Sequence, residues 1–358
     1  MQARFAEYGL TAVPGTAEFW DAVRGPVPVP ADGGHRTLFL WRGSAAVLRF
    51  ESWSGPVPLQ RFEDSDCWYA EVVLPPRLRV TYHFFDGDDY DGEHADPFNP
   101  VGAGPNRSIA ATPDLDPQPH WPAVGPDEVL DVPSTRIRWN GSLGRKTVRV
   151  HKGGEPVVLL LDGDDWMYVH PAVAAFESAV RAGEMPSATL VFLPTPRDRD
   201  AEYTGAALWP AVRDELLPLL AENGVTVDPR RFVVAGQSLA GLSAFRAALD
   251  FPELVTRVAC QSGSFWWTPG LPDQGLSLDG PAGGDTAERV RGADLSHLRV
   301  AFDVGEHEPR MHRHCEAVEG LAEKAGASVR ATRSPSGHDR AGWRHALVRD
   351  VAWLLTER

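Results

Sequence analysis

A chain of 358 residues is too long for most single hydrophobic cores, so about two domains are expected. Its 43% hydrophobic and 23% charged residues are ordinary for a folded soluble protein, and no apolar run reaches the roughly 20 residues of a membrane span. A formal net charge of −14 argues against general nucleic-acid binding, which needs a basic face, and demands local Arg clusters if the substrate is an anion.

The opening residues Met1-Gln2-Ala3-Arg4-Phe5-Ala6-Glu7 lack the apolar stretch and small-residue cleavage site of a secretory signal. Cys67, Cys260 and Cys315 are scattered and odd in number, so no disulfide framework is implied and a cytoplasmic location is the simplest expectation. Thr16 to Val23 reads as one or two helical turns capped by Thr16. Thr37 to Gly43, Ala46 to Phe50, Trp68 to Leu74 and Leu78 to Phe84 are short aromatic and β-branched segments separated by Gly, Pro and Asp. Their spacing predicts a small antiparallel sandwich. Asp86-Gly87-Asp88-Asp89-Tyr90-Asp91-Gly92-Glu93 resembles a calcium loop, but Tyr90 stands where an EF-hand needs Asp or Asn, which favours a solvated turn.

Pro113, Pro117, Pro119, Pro122, Pro126 and Pro133 then mark a stiff passage poor in backbone donors. It divides the chain into a β-sandwich over 1–125, a proline-rich linker over 126–134 and a catalytic domain over 135–358. In the catalytic part, Val157 to Leu161, Thr189 to Leu193, Phe232 to Ala235, Val255 to Cys260 and Leu298 to Val304 read as buried parallel strands. They alternate with helical patterns near 171–182, 206–222, 239–250, 309–325 and 340–356, which predicts a three-layer α/β domain.

Gly236-Gln237-Ser238-Leu239-Ala240-Gly241 joins the strand-like Phe232 to Ala235 to the helix-like Leu242 to Leu249. A strand, a Gly-flanked turn holding Ser, then a helix is the layout of a nucleophile elbow in an α/β hydrolase. Small neighbours let the backbone turn tightly, and the helix start aims N–H groups and the positive dipole end at a developing anion. A serine hydroxyl needs an adjacent base. The chain order Ser, acid, His points to His338, in Ser334-Pro335-Ser336-Gly337-His338-Asp339 between the strand-like Ser328 to Thr332 and the last helix.

The acid belongs after the strand ending at Val304, where the loop reads Gly305-Glu306-His307-Glu308-Pro309. Glu308 is preferred and Glu306 competes, whereas Asp303 belongs to the strand itself. Either glutamate would alternatively complement the dipole of the helix opening at Pro309. One oxyanion donor is expected at the Leu239 amide. The other is expected in the loop Asp162-Gly163-Asp164-Asp165-Trp166, with Gly163 and Asp164 as candidates. His307, His312, His314 and Cys315 match no common zinc spacing, so neither a catalytic metal nor a cofactor is expected.

Taken in order, these motifs resemble the ferric enterobactin (enterochelin) esterases, an intracellular class that opens catecholate siderophore trilactones. The likeness covers both domains. In the N-terminal part it rests on Phe39-Leu40-Trp41-Arg42-Gly43, Asp66-Cys67-Trp68, Val80-Thr81-Tyr82-His83-Phe84 and Asp96-Pro97-Phe98-Asn99-Pro100. In the catalytic part it rests on Leu161-Asp162-Gly163, Gly236-Gln237-Ser238, Gln261-Ser262-Gly263-Ser264-Phe265-Trp266-Trp267, Gly305-Glu306-His307-Glu308-Pro309 and Gly337-His338-Asp339 with Trp343-Arg344.

The resemblance implies Ser238 as nucleophile, His338 as base and Glu308 as acid. Its Arg-x-x-Glu-Leu element, associated with substrate contact, corresponds to Arg199-Asp200-Ala201-Glu202-Tyr203, with Tyr for Leu; Ala240 stands for a usual Gly. An anionic, aromatic ferric tris-catecholate would suit Arg197 and Arg199, with Glu202 beside them, and Trp266 and Trp267 as stacking surfaces. The sandwich would limit which scaffolds enter, or mediate formation of a homodimer. The expected partner is thus a small-molecule catecholate siderophore, with no nucleic acid and no membrane. Competing accounts are a feruloyl or carbohydrate esterase, and a siderophore-binding protein without catalysis.

Overall fold

Aromatic and β-branched runs in the first third of the chain pair as antiparallel ladders. The computed structural model describes every residue except Met1, Ala45, Trp53, 87–91, Pro126, Asp127, Val129, Asp131, 271–277, Glu357 and Arg358. The calcium-like loop therefore lies outside the described residues over 87–91, as do parts of the expected linker. Two units are distinguished: Met1–Val129 with Pro335–Gly342, and Leu130–Ser334 with Trp343–Arg358.

In the first unit, β1 (Val27–Ala31), β2 (Gly34–Arg42), β5 (Gln60–Arg61) and β6 (Cys67–Leu74) form a sheet ordered β1-β2-β6-β5. A second sheet is ordered β4 (Val57–Pro58), β3 (Ala46–Phe50), β7 (Arg79–Asp86) and β8 (Glu93–His94), with β9 (Ser108–Ala111) also paired to β7. Alternate residues of facing strands, including Phe39, Leu48, Phe50, Val80, Tyr82 and Phe84, share one buried cluster. The short helix Ala17–Ala22 begins as its sequence predicts: Thr16 Oγ accepts the Phe19 N–H at 3.3 Å. Its Phe19 and Trp20 are buried with Leu38, Leu40 and Tyr69.

The segment Pro335–Gly342 belongs to this unit and not, as expected, to the catalytic domain. The cause is a set of contacts between residues distant in sequence. The Arg79 amide donates to the Pro335 carbonyl (3.0 Å), and Gln118 Nε2 donates to the Ala341 carbonyl (3.0 Å). The buried Asp339 carboxylate accepts the Thr81 amide (2.7 Å), the Thr81 hydroxyl (2.8 Å) and the Ala341 amide (2.7 Å). Burial raises the Asp339 pKa, while these three donors oppose that rise.

The second unit holds an eight-stranded sheet. Its members are β10 (Thr135–Gly141), β11 (Gly144–His151), β12 (Val157–Leu160), β13 (Thr189–Phe192), β14 (Phe232–Gln237), β15 (Arg257–Gln261), β16 (Arg299–Gly305) and β17 (Ser328–Ser334). The order is β10-β11-β13-β12-β14-β15-β16-β17. β10 and β11 form an antiparallel hairpin, and β11 runs antiparallel to β13; the other neighbours are parallel. Every position of β12 and β13 is buried, as strands covered on both faces require. Helices occupy Ala172–Arg181, Leu239–Asp250, Pro309–Lys324 and Arg340–Leu355. From β12 the chain passes to β13 on one side and then to β14 on the other. Such a reversal of strand order, here at the carboxyl ends of β12 and β14, is where α/β sheets bind ligands.

Candidate active site

Three non-glycine residues at the carboxyl ends of neighbouring strands have positive φ: Asp162 (50°) after β12, Ser238 (57°) after β14 and Ser262 (45°) after β15. Each such residue costs of order 1–3 kcal/mol and persists only where its surroundings over-determine it. At Ser238 (ψ −121°) they do. Its N–H donates to the Gln261 carbonyl (3.0 Å), and its carbonyl accepts the amides of Leu242 and Ser264, both at 3.0 Å. A Cβ on Gly236 would lie 2.3 Å from the Ala240 carbonyl oxygen, so this approach of strand to helix needs glycine. Gln237 and Leu239 are buried while Ser238 is half-exposed, and the Ser238 Oγ lies 3.1 Å from Ser264 Oγ. The elbow thus lifts one hydroxyl out of an otherwise buried turn.

A line of buried amide and indole groups fixes the elbow to its neighbours. Trp166 Nε1 donates to Gln237 Oε1 (3.0 Å), Gln237 Nε2 to Gln261 Oε1 (2.8 Å), and Gln261 Nε2 to the Trp343 carbonyl (2.7 Å). In a dry interior such fully satisfied chains specify a single arrangement. The nearby Cys260 and Cys315 are free and fully buried, and desolvation pushes both thiols up, which keeps them protonated and inert.

Asp162 sits under the loop that follows β12. Arg199 Nε (3.1 Å) and Nη2 (2.7 Å) both donate to its Oδ2, and Tyr203 donates its hydroxyl to Oδ1 (3.0 Å). The same hydroxyl accepts the Asp162 amide at 3.0 Å, and Arg199 Nη2 also reaches the Gln237 carbonyl at 3.1 Å. Arg199, expected at the substrate, therefore braces the β12 loop against the elbow. Tyr203 is buried and belongs to this brace, which explains why it replaces an apolar residue. Tyr203→Phe is expected to destabilise the fold by about 1–3 kcal/mol, because it removes the hydroxyl that accepts the buried Asp162 amide and donates to its carboxylate. Urea denaturation of both proteins checks this, and an unchanged midpoint would refute the brace.

The oxyanion expectation needs one correction. The Gly163 amide is occupied, donating to the Leu193 carbonyl at 2.6 Å. A Cβ on Gly163 would lie 2.7 Å from the Leu193 nitrogen, so this glycine serves close packing and not donation. The Asp164 amide makes no hydrogen bond among the described residues, which leaves it as the donor candidate of that loop. The Leu239 amide opens the helix Leu239–Asp250 and has no intrahelical acceptor by position. The Asp164 side chain accepts the Thr195 amide (3.2 Å), and partial burial raises its pKa.

After β16, Glu308 is buried and held in place. Its Oε1 accepts the Ser262 hydroxyl (2.6 Å) and the Gly305 amide (2.9 Å), and Ser262 Oγ in turn accepts Trp343 Nε1 (2.8 Å). Glu306 is only half-buried, and its amide donates to the Ser334 carbonyl (2.7 Å). Asp303, inside the strand, accepts Thr332 Oγ1 (2.7 Å), Ser334 Oγ (2.8 Å) and Arg349 Nη2 (3.0 Å) on one oxygen. Arg349 is shared with buried Asp350, and desolvation raises the pKa of both carboxyls. His338 is half-buried within the segment clamped by Asp339.

The remaining candidates are placed as follows. Arg197 is exposed. Glu202 is spent on an ion pair with Lys146 at 2.9 Å, so it is not a free substrate contact. Trp266 and Trp267 are half-buried against the main core, and Arg246 covers the Trp267 ring at 4.9 Å. His312 Nε2 meets the Gly305 carbonyl (2.8 Å), and His314 lies between the Gly283 amide and the Leu278 carbonyl. Among the described residues no three His, Cys, Asp or Glu side chains converge as metal ligands. Sequence reasoning missed Ser262 and Ser264 as individual residues. The signal available was their position one and three residues beyond a strand end beside the elbow.

The esterase family model, described as "Putative esterase", matches residues 143–354. Iron(III) enterobactin esterase of Dickeya dadantii (strain 3937) is 28% identical over 395 residues, covering 92% of this chain and 90% of that protein. Its Escherichia coli (strain K12) counterpart is 30% identical over 332 residues, covering 87% of this chain and 76% of the relative. The crystal structure of the Shigella flexneri enterobactin esterase in the presence of 2,3-dihydroxy-N-benzoyl-serine superposes with a TM-score of 0.79 at 25% identity, covering 95% of this chain and 98% of that one.

Proposed function

This chain belongs to the family of the iron(III) enterobactin esterases, and on that premise we propose that it opens the ester bonds of a catecholate siderophore with Ser238 as nucleophile. It is a carboxylic ester hydrolase. In the proposed reaction Ser238 Oγ attacks a lactone carbonyl carbon as His338 takes the hydroxyl proton, and the carbonyl π electrons move onto oxygen. The amides of Leu239 and Asp164 hold that oxyanion. Its collapse breaks the ester C–O bond, and the imidazolium returns the proton to the departing alkoxide. Water activated by His338 then opens the acyl-enzyme and regenerates Ser238. Glu308 is the acid that supports the imidazolium.

The observation that carries this reading is the strained, half-exposed Ser238, braced by Gln261 and Ser264 at the carboxyl end of β14. The iron belongs to the substrate, and a cytoplasmic location is part of the proposal, supported by three buried cysteines that are free. The test offers the enzyme the ferric and iron-free trilactones of 2,3-dihydroxybenzoylserine beside a feruloylated sugar. Linear and monomeric catecholates are expected, with kcat/KM at least about 100-fold above that for the sugar, a difference of roughly 3 kcal/mol in transition-state binding. Preference for the sugar ester would make the chain a different esterase; a trilactone bound but left intact would make it a binding protein.

A further inference from the structure

Arg149 on β11 has no ion-pair partner among the described residues. It is 8% exposed, its Nε is closed off from solvent without a partner, and among the described residues it meets no carboxylate. Burying a charge in this way is costly unless something pairs with it. The contrast lies within the same unit, where Arg199 has Asp162 and Arg349 has Asp303 and Asp350. In the neighbouring acidic loop, Asp162 is committed to Arg199 and Asp164 to the Thr195 amide.

The Tyr168 ring stands over the guanidinium, 5.8 Å from centroid to Cζ. That ring is 43% exposed, one of three large apolar side chains so placed among the described residues. It lies in a π-helical turn, Asp165–Val169, that directly continues the loop bearing Asp164. Single π turns of this kind are frequent at functional sites. Arg149 is in register with Phe192, the last residue of β13, and so lies at the end of the sheet where Ser238 stands. A ring face partly screens a cation but supplies no acceptor for its N–H groups.

We propose that Arg149 and Tyr168 form a subsite for an anionic aromatic group of the substrate. The guanidinium takes the catecholate oxygens as paired N–H acceptors, and the Tyr168 ring takes the aromatic face. This deepens the siderophore esterase reading and rests on it. The subsite discriminates charged catecholates from neutral aromatic esters.

The test measures kcat/KM on the ferric 2,3-dihydroxybenzoylserine trilactone and on its iron-free, catechol-O-methylated counterpart, with full-length wild type, Arg149→Met and Tyr168→Ala. The expected result is a preference for the ferric substrate that falls at least about 10-fold in each variant. Raising salt should erode the wild-type preference and leave that of Arg149→Met unmoved. A ratio within about twofold of wild type in the folded variants overturns the subsite. Tyr168 is exposed, so Tyr168→Ala decides the matter alone if Arg149→Met does not fold. Failure of the esterase reading shows separately, as wild-type protein that leaves both trilactones intact.

Discussion

Ser238→Ala is expected to lower kcat for ester hydrolysis by about 10⁵–10⁶-fold while siderophore affinity stays within about threefold of wild type. The size follows from losing the only atom that forms the acyl bond; what remains is the modest catalysis of oxyanion donors and binding. The fold should tolerate the change. Alanine keeps the Cβ, so it carries the same backbone strain at φ 57°, and the hydrogen bonds bracing the turn come from main-chain groups. The side chain gives up its contact with Ser264 Oγ on a half-exposed group, a loss on the order of 1 kcal/mol or less. Steady-state kinetics with a binding titration on the same preparation separates chemistry from folding. Hydrolysis within tenfold of wild type would remove Ser238 from the mechanism.

His338→Ala should cost about 10⁴–10⁶-fold in kcat, with partial recovery on adding free imidazole. Without the base, Ser238 must lose its proton to water at neutral pH, where a hydroxyl is a poor nucleophile. The segment that bears His338 should survive the substitution. Its anchors belong to other residues: the carbonyls of Pro335 and Ala341, and the Asp339 carboxylate on Thr81. A variant that loses activity but regains none with imidazole, while unfolding earlier, would indicate a structural histidine. Near-normal activity would exclude His338 as base.

The elbow was legible because its requirements are local. A strand, small residues on either side of a Ser and a helix start are all written within a dozen positions, and Gly236 proves indispensable for the reason anticipated. The fixing of Glu308 is equally local, since it accepts an amide only three residues away, at Gly305. What failed depended on partners remote in sequence. Gly163 looked like a permissive donor, but the Leu193 carbonyl takes its amide. Arg199 and Glu202 looked like substrate contacts, but Asp162 and Lys146 hold them. The assignment of Pro335–Gly342 turned on Thr81 and Asp339, 258 residues apart, which no local pattern discloses. The β10–β11 hairpin was missed because its apolar residues are few, Ile137 and Trp139 on one strand and Val148 and Val150 on the other, among a majority of charged and polar ones, although they alternate as strand residues do. Arg149 escaped notice for the same reason: in a charged stretch, an arginine without a counter-charge is visible only once burial is known.

The account stands on one oxygen atom, and a covalent map addresses it directly. The enzyme is treated with a fluorophosphonate, digested, and its peptides sequenced by tandem mass spectrometry. The account predicts a single phosphonyl adduct on Ser238 that forms far more slowly in His338→Ala. An adduct on Ser264 or any other hydroxyl, with Ser238 left unmodified, would contradict it.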